Sequence, residues 1–207
     1  MIELNLLIQF ILSSMVLTIS PGPDIIYVIT QSISNGKKYG IYTAAGLVSG
    51  ILIHTTLVYL GVSLLIRETP LLFNGLKYLG AIYLVYLAYQ VYKSDSKSQI
   101  DFDKKVAKKS PKSLFLQGFV MNVLNPKVTL FFLAYFPGFI IPDKGQVAIQ
   151  TYELGVVFMI QAFLIFSLLA ILADRFTSYI RSNKNFQPII KWAQFTVFIG
   201  LAIFLVL

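Results

Sequence analysis

Cysteine is absent from this chain, which removes disulfides, thiol–disulfide transfer, iron–sulfur clusters and thiolate metal sites from consideration. Charge is scarce: 13% of the 207 residues are Asp, Glu, Lys or Arg, where a soluble domain carries about a quarter. That is too little to cover a water-facing surface. His54 is the only histidine, so no cluster of metal ligands forms, and a metal exporter or any metal cofactor is not expected. A phosphate-cradling glycine loop is missing as well, so pumping would have to draw on ion gradients rather than ATP. Catalysis fares no better. Intramembrane aspartyl proteolysis needs a second carboxylate at the depth of Asp24, and no nucleophile motif accompanies His54. The chain is not expected to be an enzyme, and no catalytic residue or organic cofactor is assigned.

What the chain has instead is apolar sequence: 57% of it is hydrophobic and the mean hydropathy is +0.75. Each membrane helix needs roughly 20 apolar residues, and apolar runs near 4–34, 39–66, 71–92, 114–141, 147–173 and 188–207 predict an all-α protein of six spans. The first run lacks a basic leader, since only Glu3 precedes it, and is expected to be a retained span rather than a signal peptide. No separate soluble domain fits. The expected organisation is one transmembrane domain over 1–207, with a first three-helix unit at 1–92, a linker at 93–112 and a second unit at 113–207.

The net charge of +8 does not point to nucleic acid, because the basic residues fall between spans. Thirteen of the seventeen lie on one side: Lys37, Lys38, Lys93, Lys97, Lys104, Lys105, Lys108, Lys109, Lys112, Arg175, Arg181, Lys184 and Lys191. Three lie on the other (Arg67, Lys77, Lys144), and Lys127 falls inside a span. The positive-inside rule makes the rich side cytoplasmic and turns both termini outward. The linker, with seven lysines and three aspartates, is then a solvated cytoplasmic segment able to touch anionic lipid.

Two prolines stand beside opposite charges inside apolar runs, as Pro21-Gly22-Pro23-Asp24 and Asn125-Pro126-Lys127. Helix breakers and charges are tolerated at such depth only where protein or a polar cavity surrounds them. Asp24 lies ten residues before Ser34, or ~15 Å of helix, and Lys127 thirteen residues after Leu114, or ~20 Å. Half a bilayer core is about 15 Å, so both charges fall near the midplane. The two Pro-charge pairs are 103 positions apart. With three spans per half, any repeat must be inverted, and each half then opens on a helix broken at proline.

Opposite charges at the midplane either pin two halves together as a structural ion pair or form a binding site. Broken helices offer free N–H groups to an anionic ligand group and free carbonyls to a cationic one. An amino acid carries both charges on one carbon. Lys127 with neighbouring amides is the candidate for its carboxylate, and Asp24 with unwound carbonyls for its ammonium. Asp24 is also the candidate proton carrier. Asn122 and Asn125 flank the second break, where they satisfy freed backbone groups or bind ligand. Gly22, between two prolines, lets the chain bend and other groups approach. Gly46, Gly50 and His54 share one face of the second span; small residues there permit close helix contact, and this face is the one feature that favours a homodimer. His54 serves either packing or the pathway. Tyr83 and Tyr86 sit deep enough in the third span to line a cavity, and Gln161 in the fifth is a weaker case.

Taken together, Ser20-Pro21-Gly22-Pro23-Asp24, the Gly46/Gly50/His54 span, Lys77-Tyr78-Leu79-Gly80-Ala81-Ile82-Tyr83-Leu84 and Asn125-Pro126-Lys127 followed by Phe131-Phe132 and Phe136-Pro137-Gly138-Phe139 resemble the LysE/RhtB family of amino-acid exporters. The resemblance covers essentially the whole chain. It implies a bacterial inner-membrane secondary exporter of amino acids or close derivatives, with six spans, driven by the proton gradient. Members exporting threonine, homoserine, leucine or lysine share these motifs, so the motifs do not set the cargo. The rival from another class is a passive channel for small zwitterionic solutes, which needs a continuous polar path rather than isolated charges.

Overall fold

The computed structural model describes residues 2–20, 22–93, 108–176 and 186–206. Pro21, most of the predicted linker, and Arg181 and Lys184 lie outside the described residues. Among the described residues there is no strand. The elements are α1 (Leu4–Ile19), α2 (Pro23–Asn35), α3 (Lys37–Glu68), α4 (Pro70–Lys93), α5 (Pro111–Val123), α6 (Pro126–Leu130), α7 (Val147–Arg175) and α8 (Phe186–Val206). Between α6 and α7 the chain widens into a π turn, Phe131–Tyr135, and tightens into a 3-10 turn, Phe136–Phe139. Each of the six apolar runs is therefore helical.

The first and fourth runs are helix pairs rather than single rods. They bend by 59° and 47° respectively, and the same local grammar makes both breaks. Gly22 caps α2 in an extended conformation with Pro23 as its first residue. Asn125 caps α6 in the β region with Pro126 as its first residue. Proline excludes the preceding residue from the helical region and suits the first helical turn. A helix reaching either proline must stop and start again. The π turn has a related origin: Pro137 has no N–H and its ring crowds the carbonyl four residues back, so the backbone widens just before it.

Two helices, Lys37–Gly61 and Val147–Arg175, are each long and apolar enough to cross a bilayer, and up to four spans result if each bent pair counts as one. The outside is apolar, and charged and polar side chains are enclosed within the core. Leu4, Ile8, Leu12, Val16 and Ile19 form an exposed stripe on α1, while Asp24, Lys127, His54, Asn122 and Asn125 are buried. This inversion suits a lipid environment, where an exposed apolar perimeter needs no further explanation.

Packing is closest between α3 and α5. A side chain at Gly50 would meet Asn122 Oδ1 at 2.6 Å, Gly46 lies against the Phe115 backbone, and Gly118 of α5 lies against Thr43 and Leu47. Small residues let the backbones approach where apolar burial offers no driving force. The Gly46/Gly50/His54 face is thus covered by α5 of the same chain and offers no surface to a second copy, which corrects the sequence-based argument for a homodimer. Gly155 of α7 meets Thr55 of α3 in the same manner. By contrast, α4 and α8 pair with each other through Ala81, Leu84, Ala88, Val91, Phe198 and Ala202, and join the rest at Ala134 and Tyr135.

Candidate functional site

The two breaks face each other. Lys127 Nζ lies 3.1 Å from Asp24 Oδ2, and the two side chains are 2% and 3% exposed. The ammonium also donates to Asp24 Oδ1 at 3.3 Å and to the Ser20 carbonyl at 3.0 Å. In an unbroken helix that carbonyl would accept from the N–H of residue 24; the break frees it for the lysine. Asp24 Oδ1 in turn accepts from the Ile25 N–H at 3.0 Å, within the first turn of α2, where the helix dipole favours a negative group. The ammonium thus has two hydrogen-bond acceptors, and both carboxylate oxygens lie against it.

Gly22 is where the chain comes closest to this pair. A Cβ there would stand 2.6 Å from Asp24 Oδ1 and 3.0 Å from Lys127 Nζ. Its φ of −156° is ordinary extended backbone, so the glycine is required by space rather than by conformation.

Further polar side chains are buried in the same bundle. Asn125 accepts from the Lys127 N–H at 3.1 Å, the capping role, while its Nδ2 has no partner among the described residues. His54 Nε2 lies 3.1 Å from the Asn122 carbonyl, and Asn122 Oδ1 and Ser20 Oγ are buried without partners among the described residues. Gln161 donates to Thr18 Oγ1 at 3.0 Å, and Thr18 donates to the Ser14 carbonyl at 2.7 Å. Buried polar atoms left unpaired in an apolar interior are costly, by about 1–3 kcal/mol each.

Beyond the pair, toward the end of the bundle where Lys144 meets Glu3, the interior is aromatic. Phe10 of α1 packs on Phe136 and Phe139 with centroids 5.3 and 5.2 Å apart. Phe132 stacks on Phe136 at 4.8 Å, on Phe158 at 5.4 Å and on the His54 ring at 5.4 Å. Tyr135 OH and Ser13 Oγ, 2.8 Å apart, fasten the π turn to α1. Toward the lysine-rich end the interior is polar: Tyr27 donates to Gln117 Oε1 at 2.7 Å, and Lys109 donates to the same oxygen at 2.5 Å.

A cavity of about 20 Å³ touches Lys127, bounded by Leu17, Leu84, Leu130, Phe131, Tyr135 and Leu201. It has room for about one water. The site as seen is closed at both ends.

Of the residues singled out in the sequence, Asp24 and Lys127 meet with Gly22 against them, Asn125 caps the Lys127 helix and His54 lies against the Asn122 carbonyl, while Pro23 and Pro126 open their helices from the exposed side. Tyr83 does not join them. Its ring faces Tyr86 at 5.9 Å, and Leu84 is the α4 residue that lines the cavity. Sequence reasoning missed the Ser20 carbonyl as a lysine acceptor, the Thr18–Gln161 contact, and Tyr27, Gln31 and Gln117. The last group carried a signal: Tyr27 and Gln31 follow Asp24 by three and seven residues, one helical face.

Residues 15–207 match the family profile described as "LysE type translocator". The chain is 33% identical over 182 residues to the homoserine/homoserine lactone efflux protein of Salmonella typhimurium strain LT2, covering 88% of this chain and 87% of that one. It is 32% identical over the same length to the protein of that name from Salmonella typhi. No solved structure matches.

Proposed function

The chain belongs to the LysE type translocator family, and from that premise we propose that it is a secondary active exporter of a small amino acid or close derivative in the bacterial inner membrane. The observation that carries this reading is the Asp24–Lys127 pair, 3.1 Å apart and nearly sealed from solvent, supplied by two helix restarts of identical grammar. Six spans in two inverted three-helix units, with the lysine-rich end in the cytoplasm and both termini outside, complete the proposed topology.

Each partner of the pair is the image of half a zwitterion. A substrate ammonium takes the place of Lys127 Nζ at Asp24, and a substrate carboxylate takes the place of Asp24 at Lys127. The pair thus keeps both charges neutralised while the site is empty, and the exchange leaves no charge uncompensated in a region where that would be costly. The relatives named for homoserine and its lactone sharpen the substrate class. Homoserine has an ammonium and a carboxylate, the lactone an ammonium and an ester carbonyl. Asp24 serves both, and Lys127 donates to whichever oxygen is present. Asn122, Asn125 and His54 stand beside that position with hydrogen-bonding capacity for the rest of the molecule.

Proton coupling follows from the same carboxylate. Binding a proton from the outer side neutralises Asp24, removes the attraction that holds the substrate ammonium, and releases the substrate outward. Loss of that proton to the cytoplasm restores the pair. A cavity of about 20 Å³ is too small for any amino acid, so the bundle must open alternately at its two ends, by rocking of one unit on the other. The phenylalanine cluster argues against a passive channel, since it interrupts any continuous polar path.

The test is efflux from cells or vesicles loaded with homoserine. Uphill efflux abolished by an uncoupler, and lost in Lys127→Ala that still inserts correctly, supports the exporter; uncoupler-insensitive flux that only follows the gradient overturns it.

A further inference from the structure

The two ends of the bundle are closed by different materials, and the difference gives direction to the route. Between the ion pair and the Glu3–Lys144 end stand packed phenylalanine rings. Between the ion pair and the lysine-rich end, Asp24, Tyr27, Gln31 and Asn35 recur at helical spacing along one face of α2, beside Val28. Gln31 is 0% exposed. Its Oε1 accepts from Asn35 Nδ2 at 3.1 Å, and its Nε2 has no partner among the described residues. α2 packs extensively on α3 and α7 but only sparsely on α5, which it meets through the 2.7 Å hydrogen bond from Tyr27 to Gln117.

We propose that the α2/α5 seam is the cytoplasmic access route, and that Tyr27, Gln31 and Gln117 form a transient site for a polar zwitterion on its way to Asp24 and Lys127. The inference rests on the export reading above and adds the path and its lining. Simple helix adhesion is a poor explanation for the stripe. One polar contact would fasten two helices, and a buried amide N–H with no acceptor works against stability. The same N–H is the donor that a passing carboxylate or carbonyl needs. A seam held by hydrogen bonds parts readily when water or a polar solute enters, because each broken bond is replaced; parting the phenylalanine cluster exposes rings with no such replacement. Lys109, donating to Gln117 at the lysine-rich mouth of the seam, places a positive charge where a carboxylate first arrives.

The absence of cysteine from the natural chain makes the test direct. Single variants Tyr27→Cys, Gln31→Cys and Ile29→Cys are made in the full chain and treated with a charged, membrane-impermeant thiol reagent in inside-out and right-side-out vesicles. Ile29 is buried on the same helix but faces away from the polar stripe. The proposal expects the Tyr27→Cys and Gln31→Cys variants to react from the cytoplasmic face and the Ile29→Cys variant not to. Homoserine should slow the reaction of Gln31→Cys. Equal resistance of all three variants, reaction only from the outer face, or a Gln31→Cys reaction that homoserine leaves unchanged each overturns it. Gln31→Leu adds a second arm: the proposal expects homoserine KM to rise about fivefold, the value of one hydrogen bond, with kcat retained, and unchanged KM overturns it. Failure of the export reading itself appears separately, as absence of uphill efflux by the unmodified chain.

Discussion

Asp24 and Lys127 each occupy the second position of a helix that begins at a proline, and across 103 residues of sequence they meet as a single buried contact. Local backbone rules decide where the two helices restart; the bundle decides that the restarts face each other. The contact is a buried structural joint and, on the proposed function, a substrate site as well; variants separate the two roles.

Removing one partner leaves the other charged and enclosed. Lys127→Ala and Asp24→Ala are each expected to lower stability by about 3–5 kcal/mol, while the double variant Asp24→Leu/Lys127→Met recovers most of that loss. Thermal unfolding in detergent measures the stabilities, and homoserine efflux should be absent from all three. A double variant no more stable than the singles would show that the two residues act apart.

Substitutions that keep polar character but remove charge test the substrate assignment. Lys127→Gln keeps a donor but loses the positive charge, so efflux of homoserine should fall about tenfold more than efflux of its lactone, the scale of one charge-assisted hydrogen bond. Asp24→Asn should depress both alike, because both carry the ammonium. Parallel efflux assays of the two compounds decide the matter, and equal losses for Lys127→Gln would remove the lysine from carboxylate recognition.

Gly22→Ala introduces a methyl group 2.6 Å from Asp24 Oδ1, closer than unbonded atoms tolerate. Because φ at this position suits any residue, the helices should still form. The expected outcome is efflux reduced by an order of magnitude or more with insertion intact, since small misplacements of reacting groups have effects of that size. Protein yield in the membrane fraction and homoserine efflux are read together.

Phe136, 0% exposed in the phenylalanine cluster, should lose about 3 kcal/mol of stability on truncation to Ala. Its further effect should be leakage: a bundle with a thinned outer seal passes homoserine down its gradient in the presence of an uncoupler. Uncoupler-resistant flux in Phe136→Ala, absent from the unmodified chain, is the measurement.

Just before α1, the Lys144 ammonium beside Glu3 holds that carboxyl below its ordinary value of 4.5, mainly through their hydrogen bond. A carboxyl whose folded pKa is depressed stabilises the fold above its unfolded pKa and ceases to do so as pH falls through the folded one. The difference in melting temperature between the unmodified chain and Glu3→Gln should be present at pH 7, shrink below about 4.5 and diminish in high salt. Both side chains are well exposed, so the difference should be small throughout.

Much of this was legible from residue order alone. Pro23 and Pro126 dictate helix restarts wherever they stand, and two opposite charges at like depth have strong reason to meet. Gly46 and Gly50 were readable as a close-contact face; the identity of the neighbour was not, because many helices could fill it, and it proved to be α5. Tyr83 was misleading for a similar reason. On α4, apolar and aromatic residues surround the axis, so periodicity does not reveal which side turns inward, and Leu84 took the cavity position. The π turn had a visible cause in Pro137 but no visible extent. The polar stripe of α2 was there to be read and needed only the spacing from Asp24 to be followed for three turns.

The seat that Ser20 offers to Lys127 is a peptide oxygen, released by the kink rather than provided by a side chain. Point substitutions at position 20 exchange the hydroxyl but leave that oxygen where it is. The lysine therefore retains one anchor even when its acidic neighbour is replaced, and the side chain at position 20 can change without dislodging the cation.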